Sequence, residues 1–458
     1  MNITGIYITT PKPEQEQEQR NIGGTTCKTK TSRRVVCRLS RFQSGKKTDP
    51  WSIYRVIYVD TLKSPVGHHS LAEPVIISIS SVISPVREGV RDARRQMASA
   101  TTAPPRLGYT SRRCGTMWRA RRWAAVHATA RARGTTSRPL DVVSTTLIVD
   151  DLVFHDGSTK MAVLGGGGPQ SLFGAGLARR DPPLTLGLVA GVGGDGDCPS
   201  ECVTWLEQHD IDTTGLLPYP NMPTPRAWQI TELDGRRTQV WRLEDMGAAL
   251  YAMLRPDHSL WPRRAATARC AHFGVNPARP DVTLARALRD AGCPFVSIEP
   301  FTHALTPLTP DALTELCGMG DVFSPNEREA RSLFPDGADL SHKELIKRMA
   351  DAGARYVCLR RGEEGAMVYD TKTREGYECP TVAARVVDET GCGNAFCGAF
   401  AAAVASGDGI AEGLALGHAA ASIMLEHVGV PPGGFEEYRE EAGRRAARAR
   451  AATTAFSL

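Results

Sequence analysis

The sequence predicts an α/β fold built on a largely parallel sheet, and two observations support this. Short apolar runs rich in Val, Ile and Leu alternate with longer segments rich in Ala, Leu, Arg and Glu. This rhythm is typical of strand–helix–strand units whose helices cover both faces of a sheet. The predicted strands are residues 146–149, 185–190, 270–275, 295–298 and 356–359.

The second observation is one segment that departs from this rhythm. Across residues 226–242 the residue types alternate on both sides of Asp234-Gly235, and Asp-Gly is a strong signal for a hairpin turn. We therefore expect a β-hairpin that projects from the main body. If the first half is a strand, Gln229 faces the opposite side from Trp228, so only one of the two can line a pocket.

Composition excludes several classes of protein. The chain has 458 residues, a net charge of +5 and 41% hydrophobic residues. No stretch approaches the roughly 18 uninterrupted apolar residues of a membrane-spanning helix, so no membrane partner is expected. The 12 Cys include no C-x-x-C pair, and neither a zinc ribbon nor a disulfide scaffold is predicted.

Charge divides the chain into two parts. Residues 1–140 contain 25 Lys and Arg against 8 Asp and Glu, whereas the remaining 318 contain 30 against 42. Residues 1–96 show no sustained helical or strand period, which indicates disorder. Residues 97–140 contain nine Arg and no acidic residue, a composition typical of an organelle transit peptide. We therefore predict a basic, disordered extension at residues 1–140 with a transit-peptide-like segment at 97–140.

A transit peptide has consequences for translation and location. It lies at a true N-terminus, so we expect translation to start at Met97. The destination would be an organelle, with the chloroplast favoured over the mitochondrion, and without such a peptide the protein would be cytoplasmic. The alternative is a basic tail that binds nucleic acid. Few aromatic residues are interleaved with the charges, so nucleic acid is not the favoured partner.

Two glycine-rich segments have different interpretations. Residues 165–168 follow a predicted strand and precede a helix, where glycines let the backbone approach a ligand or act as a hinge. Residues 191–196 satisfy the dinucleotide pattern G-x-G-x-x-G, but Asp195 would place a carboxylate where the pyrophosphate must lie. We therefore predict a structural turn at the second segment.

A third glycine-rich segment runs directly into an Ala-rich helix. Gly391, Cys392 and Gly393 can expose consecutive backbone N–H groups at the helix N-terminus, where free donors and the helix dipole attract negative charge. Asp388 and Glu389 lie just ahead and could hold a cation or orient a side chain. The segment predicts an anion hole for a phosphate group, with an ordinary loop-to-helix junction as the alternative.

Residues 388–396 resemble the C-terminal signature of the PfkB, or ribokinase-like, carbohydrate and nucleoside kinases, whose usual form is D-T-x-G-A-G-D-x-F. The resemblance extends from Thr146 to near Gly434, and further motifs follow in the family's order. It implies a ribokinase-like three-layer sandwich with a largely parallel central sheet and a small β lid. We place this kinase domain at residues 142–440, followed by an Ala/Arg-rich tail at 441–458.

The resemblance also implies roles for individual residues. Substrate contacts are assigned to Asp150, Asp151, Gly166, Gly167 and the lid residue Arg226. Nucleotide contacts are assigned to Asn326, Arg361, Gly362, Gly365, Gly391 and Gly393. The N-x-x-E motif assigns magnesium to Asn326 and Glu329. The expected cofactors are ATP and Mg²⁺, and the expected ligands are a nucleotide and a small sugar or nucleoside. Family members are often dimers, so the resemblance also points to a homodimer.

One departure from the signature bears on mechanism. The family's catalytic base is the last Asp of G-A-G-D, and this chain has Asn394 there. An amide cannot accept the proton of an attacking hydroxyl group, and a positioned general base contributes about 10²- to 10⁴-fold to a rate. Positioning and electrostatics nevertheless supply most of phosphoryl-transfer catalysis. Loss of the Asp should slow a kinase without abolishing nucleotide binding.

Two functions stay open. The first is ATP-dependent phosphoryl transfer to a hydroxyl group of a small sugar or nucleoside. In it, residues 391–393 stabilise the transferred group, Cys392 fills the space of the usual Ala, and Asp388, or else Asp150 or Asp151, takes the proton. The second is a catalytically impaired pseudokinase that binds a nucleotide, a sugar or another protein. We favour the kinase.

Overall fold

The computed structural model describes residues 138–178, 182–194, 196–233, 237–242, 247–382 and 384–458. Apart from its last three residues, the predicted basic extension at 1–140 lies outside the described residues. So does most of the transit-peptide-like segment at 97–140. Among the described residues, no helix combines the length and apolar composition that a membrane span requires.

Strands and helices alternate along the described chain. The strands are β1 (Val142–Thr145), β2 (Ile148–Val153), β3 (Thr159–Gly165), β4 (Leu186–Gly193), β5 (Asp212–Tyr219), β6 (Arg226–Thr231), β7 (Arg237–Trp241), β8 (Cys270–Val275), β9 (Phe295–Pro300), β10 (Val322–Phe323), β11 (Tyr356–Arg360), β12 (Ala366–Asp370), β13 (Glu375–Cys379) and β14 (Thr454–Phe456). The helices are α1 (Gly167–Gly176), α2 (Ser200–Gln208), α3 (Gly247–Leu254), α4 (Arg263–Ala266), α5 (Val282–Asp290), α6 (Pro310–Gly318), α7 (Glu327–Ser332), α8 (His342–Asp351), α9 (Cys392–Ala405), α10 (Ile410–Met424) and α11 (Phe435–Ala452).

The larger sheet of the described chain has ten strands in the order β14-β13-β12-β11-β10-β9-β8-β1-β4-β5. The strands from β5 to β11 in this order are parallel, and β12, β13 and β14 continue the sheet antiparallel. The order reverses at β1, which lies between β4 and β8. In open α/β sheets, ligands bind outside the carboxyl ends of the strands at such a reversal.

Helices cover both faces of this sheet. On one face, α1, α9, α10 and α11 contribute buried side chains such as Phe173, Phe400 and Leu414 to one apolar cluster. On the other, α5, α6 and α8 contribute Leu288, Leu316 and Ile346 to a second cluster. This arrangement of helix, sheet and helix confirms the predicted three-layer α/β fold with a largely parallel central sheet.

The smaller sheet has the order β3-β2-β6-β7. Its strands β6 and β7 pair antiparallel, with Trp228 opposite Val240, and this confirms the predicted hairpin and small β lid. The predicted turn residues Asp234 and Gly235 lie outside the described residues, as does Asp195. Gln229 is buried, as alternation along β6 requires, whereas Trp228 is half-buried on the other side.

One predicted strand is wrong in its position. Residues 146–149 were expected to form the first strand of the main sheet, but that strand is β1, which ends at Thr145. Thr146 has a φ of 79°, a left-handed conformation that ends β1 and turns the chain into β2 of the smaller sheet. Asp150 and Asp151 therefore lie in the lid and not at the end of a central strand.

The predicted boundary at residue 440 is also wrong. Helix α11 continues to Ala452 and buries Ala442, Ala446 and Ala449 against the core, and β14 pairs with β13 at the sheet edge. Alanines at a helical spacing form an apolar face, and the Ala/Arg-rich composition by itself did not reveal this face. Residues 441–458 are part of the fold and not a separate tail.

Helices α1 and α9 pack with their backbones in direct contact. A Cβ atom built on Gly174 would lie 1.9 Å from the carbonyl oxygen of Ala395, and one built on Gly398 would lie 1.8 Å from that of Ser171. Only glycine permits this approach. The close packing fixes the first turn of α9 beside the first turn of α1.

Candidate active site

Helix α9 begins at the glycine-rich segment predicted to bind an anion. Its N-cap Gly391 has a φ of 84°, which glycine adopts without strain. Within the described chain, the backbone N–H groups of Gly393 and Asn394 have no hydrogen-bond acceptor, and that of Cys392 is 3.4 Å from the carbonyl oxygen of Glu389. Residues 392–394 are partly exposed. The first turn of α9 therefore offers free donors and the positive end of the helix dipole to an anion.

Asn394 lies beside the start of α1. Its Nδ2 donates a hydrogen bond of 2.5 Å to Oε1 of the buried Gln170. A Cβ atom built on Gly167 would lie 3.7 Å from Oδ1 of Asn394. Because Nδ2 is held by Gln170, Oδ1 is left near Gly167 as a hydrogen-bond acceptor.

Gln170 also explains why residue 391 is glycine. A Cβ atom built on Gly391 would lie 2.4 Å from Cδ of Gln170, so any larger residue would collide with this side chain. The sequence reasoning missed Gln170. Its position three residues beyond Gly167, on the helix that follows the glycine run, was the available signal.

Asp388 stabilises the loop ahead of α9. Its Oδ1 accepts a hydrogen bond of 2.9 Å from the backbone N–H of Thr390, and its Oδ2 accepts one of 3.4 Å from that of Gly429. Through these contacts the Asp388 carboxylate stabilises the loop.

Burial, together with the charges of Asp388 and Glu389, raises the pKa of the Cys392 thiol to about 12, so the thiol stays protonated at neutral pH.

Asp150 is a buried carboxyl group with few partners. Gln229 donates a hydrogen bond of 3.0 Å from Nε2 to Oδ1, while Oδ2 has no partner among the described residues. A Cβ atom built on Gly165 would lie 1.8 Å from that Oδ2. Burial and, to a smaller extent, the charge of Asp388 raise the pKa of Asp150 to about 6, although the hydrogen bond from Gln229 lowers it.

The charge of the lid residue Arg237 acts on two groups of the site. It lowers the pKa of Asp150 and also that of Cys392, in each case against the stronger effect of burial. Arg237 was not among the residues that the sequence reasoning selected.

Asp151 differs from its neighbour, because its carboxylate is already neutralised. Arg226 donates two hydrogen bonds of 2.7 Å to it, the backbone N–H of Ala162 donates a third at 2.9 Å, and Arg242 completes the cluster. Burial would raise the pKa of Asp151, but the hydrogen bonds from Arg226, Ala162 and Arg242 bring it down to about 2. Asp151 and Arg226 thus bind each other in this structure, and their assignment to the substrate stays a prediction.

Asn326 and Glu329 form a capping box at the start of α7. Oδ1 of Asn326 accepts from the backbone N–H of Glu329 at 2.9 Å, and Oε2 of Glu329 accepts from that of Asn326 at 2.7 Å. Burial raises the pKa of Glu329 to about 6, although the charge of Arg360 lowers it. Within the described chain Oε1 of Glu329 has no hydrogen-bond partner, so this oxygen is the one left for a cation.

Arg360 connects the capping box with the N-terminus of α9. Its Nη2 lies 3.1 Å from Oε2 of Glu299 and 3.6 Å from Oε2 of Glu329, and it donates at 2.8 Å to the carbonyl oxygen of Ser324. A Cβ atom built on Gly393 would lie 2.1 Å from its Nη1. The sequence reasoning missed Arg360 and Glu299, which lie at the carboxyl ends of β11 and β9.

Behind Arg360, three buried residues have the chemistry of metal ligands. Atoms of His272, Glu299 and Cys397 lie within 4.8 Å of one another. However, Glu299 already pairs with His272 at 3.2 Å and with Arg360, and burial raises the pKa of the Cys397 thiol well above its usual value. A cation here would lie beside a guanidinium group, so the cluster is better described as a hydrogen-bonded support for Arg360.

The G-x-x-G turn follows β11. Gly365 has a φ of 93°, and a Cβ atom there would lie 2.1 Å from the carbonyl oxygen of Cys379, whereas one on Gly362 would meet nothing within 4 Å. Arg361 is half-buried and pairs with Glu378 at 2.7 Å, so its charge is used within the protein. The turn is open at Gly362 only.

The structure brings together part of the predicted set. The first turn of α9, Asn394 and Gly167 form one group, and Asp150 lies beside Gly165, two residues before Gly167. Asn326 and Glu329 join the first turn of α9 through Arg360. Gly166, with a φ of 85°, is the N-cap of α1. The residues that bind other protein groups instead are Asp151, Arg226, Arg361 and, in part, Asp388.

A three-layer α/β fold with a glycine-rich helix N-terminus beside the carboxyl ends of its parallel strands defines a class of phosphate-binding proteins. The model of the pfkB family carbohydrate kinases matches residues 188–433, which is more than half of the chain. The chain belongs to this family, as its sequence motifs indicated.

One sequence relative agrees with this membership, and two solved structures share the fold. A cytidine kinase of Thermococcus kodakarensis is 29% identical over 283 residues, which are 61% of this chain and 94% of that protein. An Escherichia coli protein described as ribokinase II, in complex with ATP and Mg²⁺, is similar in fold with a TM-score of 0.52 and 17% identity. The match covers 67% of this chain and 99% of that one. The nucleoside kinase of Burkholderia thailandensis, in complex with inosine, has a TM-score of 0.51 and 17% identity, over 69% and 99% of the two chains.

Proposed function

We propose that this protein transfers the γ-phosphoryl group of ATP to a hydroxyl group of a small sugar or nucleoside. The observation that carries the proposal is the first turn of α9, where the N–H groups of Gly393 and Asn394 are free in the described chain and partly exposed. Membership of a family of sugar and nucleoside kinases supports it.

The free N–H groups of α9 would stabilise the charge that spreads over the transferred phosphoryl group. Phosphoryl transfer passes through a loose transition state, so fixed donors and positioning supply most of the rate enhancement. The donors are already in place, because close packing of α1 against α9 holds the turn and Gly391 provides the conformation that opens it.

The acceptor hydroxyl group would lie between Asn394 and the lid. Oδ1 of Asn394 can accept its hydrogen bond and orient it, but this amide cannot retain the proton. Asp150 is the carboxylate whose chemistry fits that task, since its pKa of about 6 leaves it ionised yet basic near neutral pH. Asp151, with a pKa of about 2 and two arginine partners, is a poor base.

Phosphoryl transfer would exchange one phosphorus–oxygen bond for another. The acceptor oxygen forms a bond to the γ-phosphorus while the bond from that phosphorus to the β,γ-bridging oxygen breaks. ADP leaves, and the hydroxyl proton passes to Asp150. Glu329 through Oε1 would hold Mg²⁺ with the nucleotide, Asn326 would position Glu329 through the capping box, and this ion would neutralise phosphate charge.

The test is a coupled assay of ADP release with the full-length chain, ATP and Mg²⁺, and a panel of sugars and nucleosides. We expect turnover by the native protein and a loss of at least about 10²-fold in Asp150→Asn. Asp156→Asn, in an exposed turn after β2, is the matched control and should keep full activity. Nucleotide binding without turnover, with turnover appearing in Asn394→Asp, would instead establish a pseudokinase.

The targeting segment and the homodimer stay predictions. Mass spectrometry of the native protein tests the segment at 97–140, because a start at Met97 excludes every peptide from residues 1–60. Sedimentation of the purified chain tests the homodimer.

A further inference from the structure

We infer that Arg360 contacts the transferred phosphoryl group and acts as a fixed arginine of the anion hole. The inference rests on the proposed function and adds to it a residue that no motif of the chain indicated.

The guanidinium group of Arg360 lies beside the first turn of α9. Nη1 of Arg360 lies 2.1 Å from where a Cβ atom of Gly393 would be. Each Cα–Cβ bond of an α-helix tilts toward the helix N-terminus, so that location is on the N-terminal side of Gly393. The free N–H groups of Gly393 and Asn394 point to the same side. Nη1 and these donors can therefore reach one anion.

Neighbouring oxygen atoms hold the guanidinium group of Arg360 in place. Nη2 is held by Glu299 at 3.1 Å, by the carbonyl oxygen of Ser324 at 2.8 Å and by Glu329 at 3.6 Å. Glu299 is itself fixed by His272 at 3.2 Å and by Cys397 at 3.3 Å. Burial disfavours the charge on Arg360, but the nearby acidic groups raise its pKa, so it stays charged. The guanidinium group is rigid before any ligand arrives, and catalytic donors need this preorganisation.

Nη1 of Arg360 has no hydrogen-bond acceptor within the described chain, whereas Nη2 is already bound. The buried Nε–H lies on the Nη2 side of the guanidinium group, so Nη1 is the donor that remains for a ligand. Leaving a donor of a charged group unpaired is costly, so an acceptor at Nη1 would be bound strongly. A phosphoryl oxygen is such an acceptor.

The glycine at 393 fits the same interpretation. Alanine is compatible with the first turn of a helix, so helix formation does not require glycine there. The neighbouring guanidinium does require it, because a methyl group at 393 would occupy the position of Nη1. Gly393 thus makes room for Arg360 as well as for the ligand.

The test compares nucleotide affinities and turnover in the full-length chain. Arg360→Gln alone would leave Glu299 buried without its arginine partner, so the variant is the double change Arg360→Gln with Glu299→Gln, alongside Arg360→Lys. Arg355→Gln is the matched control, since Arg355 immediately precedes the other end of β11 and pairs with Asp370 at 2.8 Å. Calorimetry measures the Kd of ADP and of a non-hydrolysable ATP analogue, and the coupled assay measures kcat.

We expect the double variant to bind the ATP analogue at least 10-fold more weakly while the Kd of ADP changes less than 2-fold. We also expect kcat to fall by about 10²-fold or more. Arg360→Lys should recover part of the affinity for the analogue, and Arg355→Gln should change nothing. Equal weakening for both nucleotides, or none, would overturn the inference.

A native chain that binds the analogue but shows no turnover of ATP refutes the proposed function alone, because the comparison of affinities still decides the role of Arg360. A native chain that binds no nucleotide overturns both.

Discussion

Asn394 donates a hydrogen bond of 2.5 Å from Nδ2 to Oε1 of Gln170, and this contact ties the first turn of α9 to the first turn of α1. The resemblance of residues 388–396 to the family signature implies that Asn394 stands where the signature has its last Asp. The Asn394 amide is held by a specific buried partner, with its oxygen left near Gly167.

The Asn394–Gln170 contact should be measurable as a coupling energy. We expect Gln170→Met and Asn394→Ala each to destabilise the protein, and the double variant to lose less than the sum, by about 1 kcal/mol. Chemical denaturation of the four proteins measures this coupling. Additive losses would show that the two side chains do not interact.

The ionisation of Asp150 should govern the pH dependence of catalysis. Its pKa of about 6 means that it can accept a proton only as the pH rises through that value. We expect kcat/KM to increase between pH 5 and pH 7 and then level off. Glu329 also has a pKa raised to about 6, so the profile should be repeated with Glu329→Gln, which keeps the increase if Asp150 is responsible. A flat profile in the native enzyme would contradict the role of Asp150.

The same carboxyl group should also destabilise the native protein at neutral pH. Because the folded-state pKa of Asp150 lies above the unfolded value of 3.8, its contribution to stability is full below pH 3.8 and is lost as the pH rises through about 6. Asp150→Asn should therefore raise the free energy of unfolding at pH 7.5 by about 1–3 kcal/mol. Urea titrations at pH 7.5 and pH 4.5 test this, and the gain should be smaller at pH 4.5.

Asp151 should behave in the opposite way. Its pKa is lowered to about 2, so the stability that it contributes is present above pH 3.8 and is lost as the pH falls through about 2. Asp151→Asn should cost about 2 kcal/mol at pH 7, because Arg226 and Arg242 lose their partner. Asp336→Asn, in the exposed pair with Arg348, is the control and should cost much less than Asp151→Asn. Similar losses in the two variants would contradict the structural role of Asp151.

Gly391→Ala should damage both stability and nucleotide binding. The alanine would have to adopt a φ of 84° and would also collide with Gln170. We expect a loss of about 2–4 kcal/mol in the free energy of unfolding. Gly407→Ala provides the comparison, since Gly407 has a φ of 92° at the other end of α9 with nothing within 4 Å of a Cβ atom. That variant should cost only about 1–2 kcal/mol and leave nucleotide binding intact.

Local patterns in the sequence predicted most of the fold. The apolar runs of β4, β8, β9 and β11 are continuous because both faces of the parallel sheet are buried, so each is visible without its neighbours. The glycine-rich start of α9 was likewise visible, since conformational freedom and a helix N-terminus are properties of consecutive residues. The end of the domain was not, because the alanines of α11 become an apolar face only when the helix packs against the core.

The sequence by itself determined the α/β architecture and the family. Only the tertiary structure decided which charged groups are free: Asp151 and Arg226 neutralise each other, whereas Asp150 is buried with one amide partner. It also brought Gln170 and Arg360 to the first turn of α9 from distant parts of the chain. Burial and ion pairing depend on contacts between such distant residues, and they set the charge and pKa of every group at the site.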